Sequence, residues 1–151
     1  MKQSLFSLTL LLISVITMNT IIFSQEKQPT GQSGDMIVRI TGFDSNKGDA
    51  RVALCNSLEN YESAIPYRHA IEEIANHTVE FTFENVPFGD YAIKCFHDEN
   101  SNGTMDRNSM GIPVEAYGFS NNAAANFGPP DYDDAKFIFN KDKQIVEIKL
   151  Q

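Results

Sequence analysis

Residues Thr78–Glu84 read TVEFTFE, an unbroken alternation of apolar and polar side chains. Val79, Phe81 and Phe83 fall on one side, and Glu80, Thr82 and Glu84 on the other. A period of two marks a strand with one buried face and one wetted face. Downstream, Asn85–Asp90 (NVPFGD) is a turn, and Tyr91–His97 (YAIKCFH) is the next strand. There Tyr91, Ile93, Cys95 and His97 project to one side and Ala92, Lys94 and Phe96 to the other. Upstream, Ala70–Ile74 reads as a short strand or a helical turn. Ser57, followed by Glu59 and Glu62, starts one helical turn, and Pro66 stops anything longer. Before that, Met36–Phe43 and Gly48–Asn56 are two strands, with Val52 and Leu54 on one face and Ala53 and Cys55 on the other. The Asx-rich link Asp44–Lys47 predicts that these two strands form a hairpin. Near the end, Ala135–Phe139 and Gln144–Leu150 flank Asn140–Lys143 and predict a final hairpin. Six or seven short strands, with no long amphipathic helix, predict an all-β fold: an antiparallel β-sandwich carrying one long ordered loop.

That loop runs from Asp98 to Asp134. A loop this long in a compact domain is usually functional or disordered. Its aromatic residues Tyr117, Phe119, Phe127 and Tyr132 predict that it packs on the sandwich. Its first part, His97–Arg107, reads HDENSNGTMDR and has the offsets of a calcium loop. Calcium takes six to eight oxygens, which a tight loop supplies from alternate positions when a glycine permits the turn. Asp98 stands at position one, Asn100 at three, Asn102 at five and Gly103 at the turn. Thr104 offers its carbonyl at seven, and Asp106 stands at nine. Position twelve is Ser109, where the full motif has a bidentate Glu, and a strand rather than a helix precedes the loop. Glu115, or an acid from Asp131 to Asp134, is the candidate to complete the shell. So few carboxylates predict weak Ca²⁺ affinity, with a Kd of about 10⁻⁴–10⁻³ M. The competing reading is a metal-free Asx-rich turn, since Asn, Asp and Ser bond their own backbone.

His97 borders this loop. As a strand-end residue it is expected to bond the loop through its ring. The functional alternative is a metal-dependent hydrolase in which His97, Asp98 and Glu115 converge. Neither His69 nor His77 has metal-ligand spacing with His97, and Ser120 lacks a nucleophile-elbow context, so no nucleophilic triad is read. Gly118–Asn122 (GFSNN) is either a ligand-binding lip or a packed turn.

The N-terminal residues look like an export signal: Lys2, then a largely apolar run from Leu5 to Phe23, then Ser24 before polar Gln25. The expected organisation is a signal peptide over 1–24, a flexible polar linker over 25–34 and a β-sandwich domain over 35–151. A retained membrane anchor is the alternative for the apolar run. Cleavage would leave no stable membrane span and a periplasmic or secreted protein. The chain carries 20 acidic against 12 basic residues and a net charge of −8, which makes nucleic acid a poor partner. The expected partner is an envelope or extracellular ligand. Cys55 and Cys95 leave two readings open: a disulfide, which export permits, or two buried thiols.

With these residues laid out, the chain resembles a bacterial secreted family, the domain-of-unknown-function family 2141. The likeness spans roughly Met36 to Leu150. It rests on Val86–Tyr91 (VPFGDY), on His97–Gly103 (HDENSNG) with Asp106, on Gly111–Glu115 (GIPVE), on Tyr117–Asn122 (YGFSNN), and on Pro130 with Asp134–Phe137 (DAKF). The resemblance implies an exported single domain and no particular reaction. The Val-Pro-x-Gly-x-Tyr turn is also similar to that of prealbumin-like sandwiches. Neither cysteine belongs to the recognised pattern. The expected role is therefore binding or assembly at the cell envelope, with an enzyme or a metal-free structural protein as alternatives.

Overall fold

The structure is a computed structural model that describes residues 31–151. The expected signal peptide and most of the expected linker lie outside the described residues. Eight strands form two packed sheets. They are β1 (Ser33–Thr41), β2 (Asp49–Cys55), β3 (Arg68–Glu73), β4 (Thr78–Pro87), β5 (Gly89–Asp98), β6 (Tyr117–Phe119), β7 (Phe137–Phe139) and β8 (Lys143–Lys149). One sheet has the order β4-β1-β8. The other has the order β3-β2-β5-β6, with β7 also pairing β5. The all-β sandwich read from the sequence is the fold of the protein. The count exceeds the expected six or seven because β6, only three residues long, falls within the stretch read as a loop.

The alternation in β4 does what its pattern dictates: Val79 and Phe83 are buried and Phe81 is half-buried against the core. On β1, Met36, Val38 and Ile40 are fully buried between Ile37, Arg39 and Thr41. Full burial of each such side chain contributes roughly 1.5–3 kcal/mol. They meet Val52, Leu54, Ile93, Cys95, Phe139, Val146 and Ile148 between the sheets. The Val86–Tyr91 turn carries the chain from one sheet to the other, and the Tyr91 hydroxyl donates to the Pro87 carbonyl at 2.8 Å. The five-residue helix α1 (Leu58–Glu62) follows the expected start, since the Ser57 hydroxyl accepts from the Asn60 N–H.

Two expected hairpins are corrected. β1 and β2 do not pair: β1 lies antiparallel to β4 and parallel to β8, while β2 pairs with β3 and β5. The Asp44–Lys47 link is a crossover between the sheets. β7 and β8 also separate, β7 joining β5 and β8 joining β1. A short Asx-rich link reads the same whether it turns within a sheet or crosses between two.

Residues 98–134 are ordered but not one loop. They contain β6, a 3₁₀ turn (Ser120–Asn122) and the start of helix α2 (Tyr132–Ala135). Phe119 is buried and Tyr117 and Tyr132 are half-buried, whereas Phe127 stands fully in solvent, contrary to expectation.

Candidate functional site

β5 ends at Asp98, and the chain leaves the sheet there. His97 and Asp98 are consecutive, so the pleat sends them to opposite faces. His97 lies opposite Ala50 in the core, and Asp98 lies opposite Asp49 on the outer face of the five-stranded sheet. The His97 ring donates from Nε2 to the Lys47 carbonyl at 2.7 Å and packs edge-on against Phe43. Its bond therefore goes to the β1–β2 crossover, not to the loop as expected. His97, Asp98 and Glu115 do not converge as a catalytic set.

Asp98 is fully buried and organises the first half of the loop. Its Oδ1 accepts from the Asn102 N–H at 3.0 Å, and its Oδ2 from the Gly103 N–H at 2.8 Å. The Arg51 guanidinium, reaching across from β2, donates through Nε to the same Oδ2. Burial alone would push the Asp98 carboxyl up. The Gly103 N–H, the Arg51 guanidinium and the Asn102 N–H outweigh it and hold the carboxyl below its ordinary value. Gly103 has φ +88°, a conformation that its lack of a Cβ permits.

Asp106 gathers the other end. Its two oxygens accept from the side-chain amides of Asn100, at 2.7 Å, and Asn102, at 3.0 Å. The Asn102 Oδ1 accepts both the N–H and the hydroxyl of Thr104 at 2.8 Å. Glu115, itself buried, returns to the loop. Its carboxylate accepts from the Glu99 N–H at 3.0 Å and the Asp106 N–H at 2.9 Å, bracing both arms. The six residues singled out from the sequence, Asp98, Asn100, Asn102, Thr104, Asp106 and Glu115, are thus in one hydrogen-bonded unit. Asp131, Asp133 and Asp134 sit at α2 and join none of these bonds. Among the described residues, no three His, Cys, Asp or Glu side chains form a metal-holding group by themselves. The loop's oxygens come from two carboxylates at its ends and from amide and carbonyl groups between them, a hard donor set of the kind calcium takes.

Sequence reasoning missed Arg51 and Gly48. Arg51 is a lone cation on the polar side of an alternating strand, and only the β2–β5 register shows that it meets Asp98. Gly48, with φ +70°, packs directly on the backbone of Asp98 and Glu99, where a Cβ would fall 2.0 Å from the Asp98 carbonyl oxygen. The Gly118–Asn122 run is a packed turn. The buried Ser120 hydroxyl accepts from the Ile93 N–H at 2.8 Å, between the stretches of β5 that pair with β7 and with β6. The Asn121 amide donates to the carbonyls of Asp134 and Lys136, and the Asn122 side chain accepts from the Lys149 N–H.

Fold and loop together define a small β-sandwich domain with an oxygen-rich loop fastened to the end of a central strand. The chain belongs to the family described as "uncharacterized protein conserved in bacteria (DUF2141)", whose model matches residues 38–147. Comparison with curated proteins and with solved structures gave no match.

Proposed function

We propose that this protein is an exported β-sandwich binding module of the cell envelope whose 98–106 loop holds a calcium ion. One observation carries the reading: side chains chosen only by their offsets in the sequence meet in a single unit around Asp98 and Asp106. Asp98, Asn100, Asn102, the Thr104 carbonyl and Asp106 would hold the ion, and Glu115 would brace the loop by accepting from the Glu99 and Asp106 backbone N–H groups. Asn side chains carry both an oxygen and an NH₂ and serve either as acceptors or as donors, so the same residues suit the ion and the hydrogen-bonded turn. The bound ion would supply charge neutralisation and order, not reaction chemistry. A binding role is favoured over a hydrolase because His97 is sealed in the core and turned away from Asp98.

Calcium titration with thermal melting tests this. At about 10 mM calcium and a Kd of about 1 mM, mass action adds about 1.4 kcal/mol, or about 3–6 °C in Tm. Asp106→Asn should abolish the shift. A Tm that ignores both calcium and chelator sinks the reading.

A further inference from the structure

The outer face of the five-stranded sheet is covered at both ends and bare in the middle. At one end Cys55 and Ala92 lie under a small apolar cluster with Tyr61, Phe119 and Ala135. At the other end Asp98 starts the 98–115 loop. Between them the register places two rows of side chains. One row is Ile71, Arg51, Phe96 and Tyr117, and the next is His69, Ala53, Lys94 and Phe119. A groove of about 990 Å³ lies over these rows, walled by Met105, Met110 and Ile112 from the loop and by Phe127 from the segment before α2. Pockets for single small molecules occupy about 300–1,000 Å³.

The charge of this groove is opposite to that of the chain. The whole sequence has 20 acidic and 12 basic residues. Arg51, Arg107 and Lys94, the last donating to the Tyr61 carbonyl, line the groove, and no carboxylate does. Arg51 is held in place by the buried Asp98 through Nε alone. Its two Nη groups, the pair suited to a bidentate carboxylate, make no hydrogen bond among the described residues. The floor dips at Ala53, between Lys94 and His69 on the neighbouring strands. Met110, Ile112 and Phe127 expose their apolar surface on the wall, where lone large apolar groups lose free energy to water. The groove lies over the face of the sheet and not along the free edge of β3, so a ligand seated in it gains no backbone ladder.

We propose that this groove binds a small amphipathic carboxylate, with its carboxylate on the free side of the Arg51 guanidinium and its apolar body over Ala53 and Phe96 beneath Met110 and Phe127. The site stands on groove geometry and charge, apart from the calcium reading.

Decanoate, decanol and decyltrimethylammonium are the probes, each titrated calorimetrically into the purified chain in chelator. This condition separates the result from that of the calcium experiment. Decanoate should bind one-to-one with a Kd below about 1 mM. Decanol should bind at least about tenfold more weakly, since it lacks the charge-assisted pair, and the cation should not bind. Ala53→Trp, which fills the floor, should abolish decanoate binding. Met110→Glu changes a side chain that is 77% exposed, so folding is spared. It sets a carboxylate at the wall and should weaken decanoate about tenfold. Absence of saturable decanoate binding, equal binding of decanol, or undiminished binding by a folded Met110→Glu variant overturns the proposal.

Discussion

Arg51 and Asp98 form an ion pair across β2 and β5, with the Asp98 side chain fully buried and that of Arg51 about one quarter exposed (24%). Two backbone N–H groups complete the Asp98 carboxylate, so it fixes both the sheet end and the loop that leaves it. Removing one member of such a pair leaves the other charge buried, and this cost exceeds what the intact pair contributes. Asp98→Ala should therefore destabilise the fold by about 3–5 kcal/mol, since it also strands the Gly103 and Asn102 N–H groups. Arg51→Gln should cost less, about 1–3 kcal/mol, because the Asn102 and Gly103 N–H groups still hold the Asp98 carboxylate and the glutamine amide can donate to it. Urea denaturation of the three proteins gives both values. An Asp98→Ala cost under about 1 kcal/mol would show that the loop does not depend on this carboxylate.

The same environment makes stability depend on acid. Asp98 titrates below its ordinary value in the folded chain and near about 3.9 when unfolded. A depressed carboxyl contributes stability that is fully present above the unfolded value. It is lost as pH falls through the folded value, because the unfolded chain binds a proton that native Asp98 refuses. The stability difference between the native sequence and Asp98→Asn should hold constant from about pH 7 to pH 5 and shrink below about pH 4. Urea midpoints measured across that range check it, and a difference growing toward acid would reverse the sign of the argument.

Local chemistry was legible in the sequence, and pairing between distant strands was not. The β4 alternation, the Ser57 helix start and the membership of the 98–106 unit depend on neighbours within a few residues, and all three appear in the structure. The β1–β2 link is equally local in composition, yet its outcome depends on β8 coming from the far end of the chain to lie parallel to β1. No property of residues 44–47 records that choice. For the same reason the Arg51–Asp98 meeting was hidden: it spans 47 positions and follows from register alone. The GFSNN run offered polar groups suited either to a ligand or to backbone. The backbone took them, because β6 and β7 share one edge of β5 and the donor between them requires an acceptor.

Gly48 and Gly111 offer a controlled comparison. Both have positive φ, +70° and +78°, so a side chain strains either one by about 1–2 kcal/mol. Only Gly48 also has a neighbour in the way, the Asp98 and Glu99 backbone at 2.0–2.7 Å from the would-be Cβ, while Gly111 has open space. Gly48→Ala should cost at least about 2 kcal/mol more than Gly111→Ala, since backbone must shift beneath the loop. Denaturant midpoints of the two variants decide it. Equal costs would mean that the crossover and the loop move apart freely and that Gly48 does not set their spacing.

Cys55 and Cys95 are both free and buried, and they lie on opposite faces of the five-stranded sheet. Cys95 faces the main core, where burial pushes its thiol up to about 12. Cys55 sits under α1, and its thiol is also raised by burial. A disulfide would have to pass through the sheet, so the bridged reading of the pair is corrected to two thiols. Thiolate is the reactive form, and burial disfavours it at both sites. Ellman's reagent should therefore find no rapidly reacting thiol in the native protein and two after denaturation, with no mass change on prior reduction. A gain of two mass units on reduction would instead demonstrate a bridge and a different packing of β2 on β5.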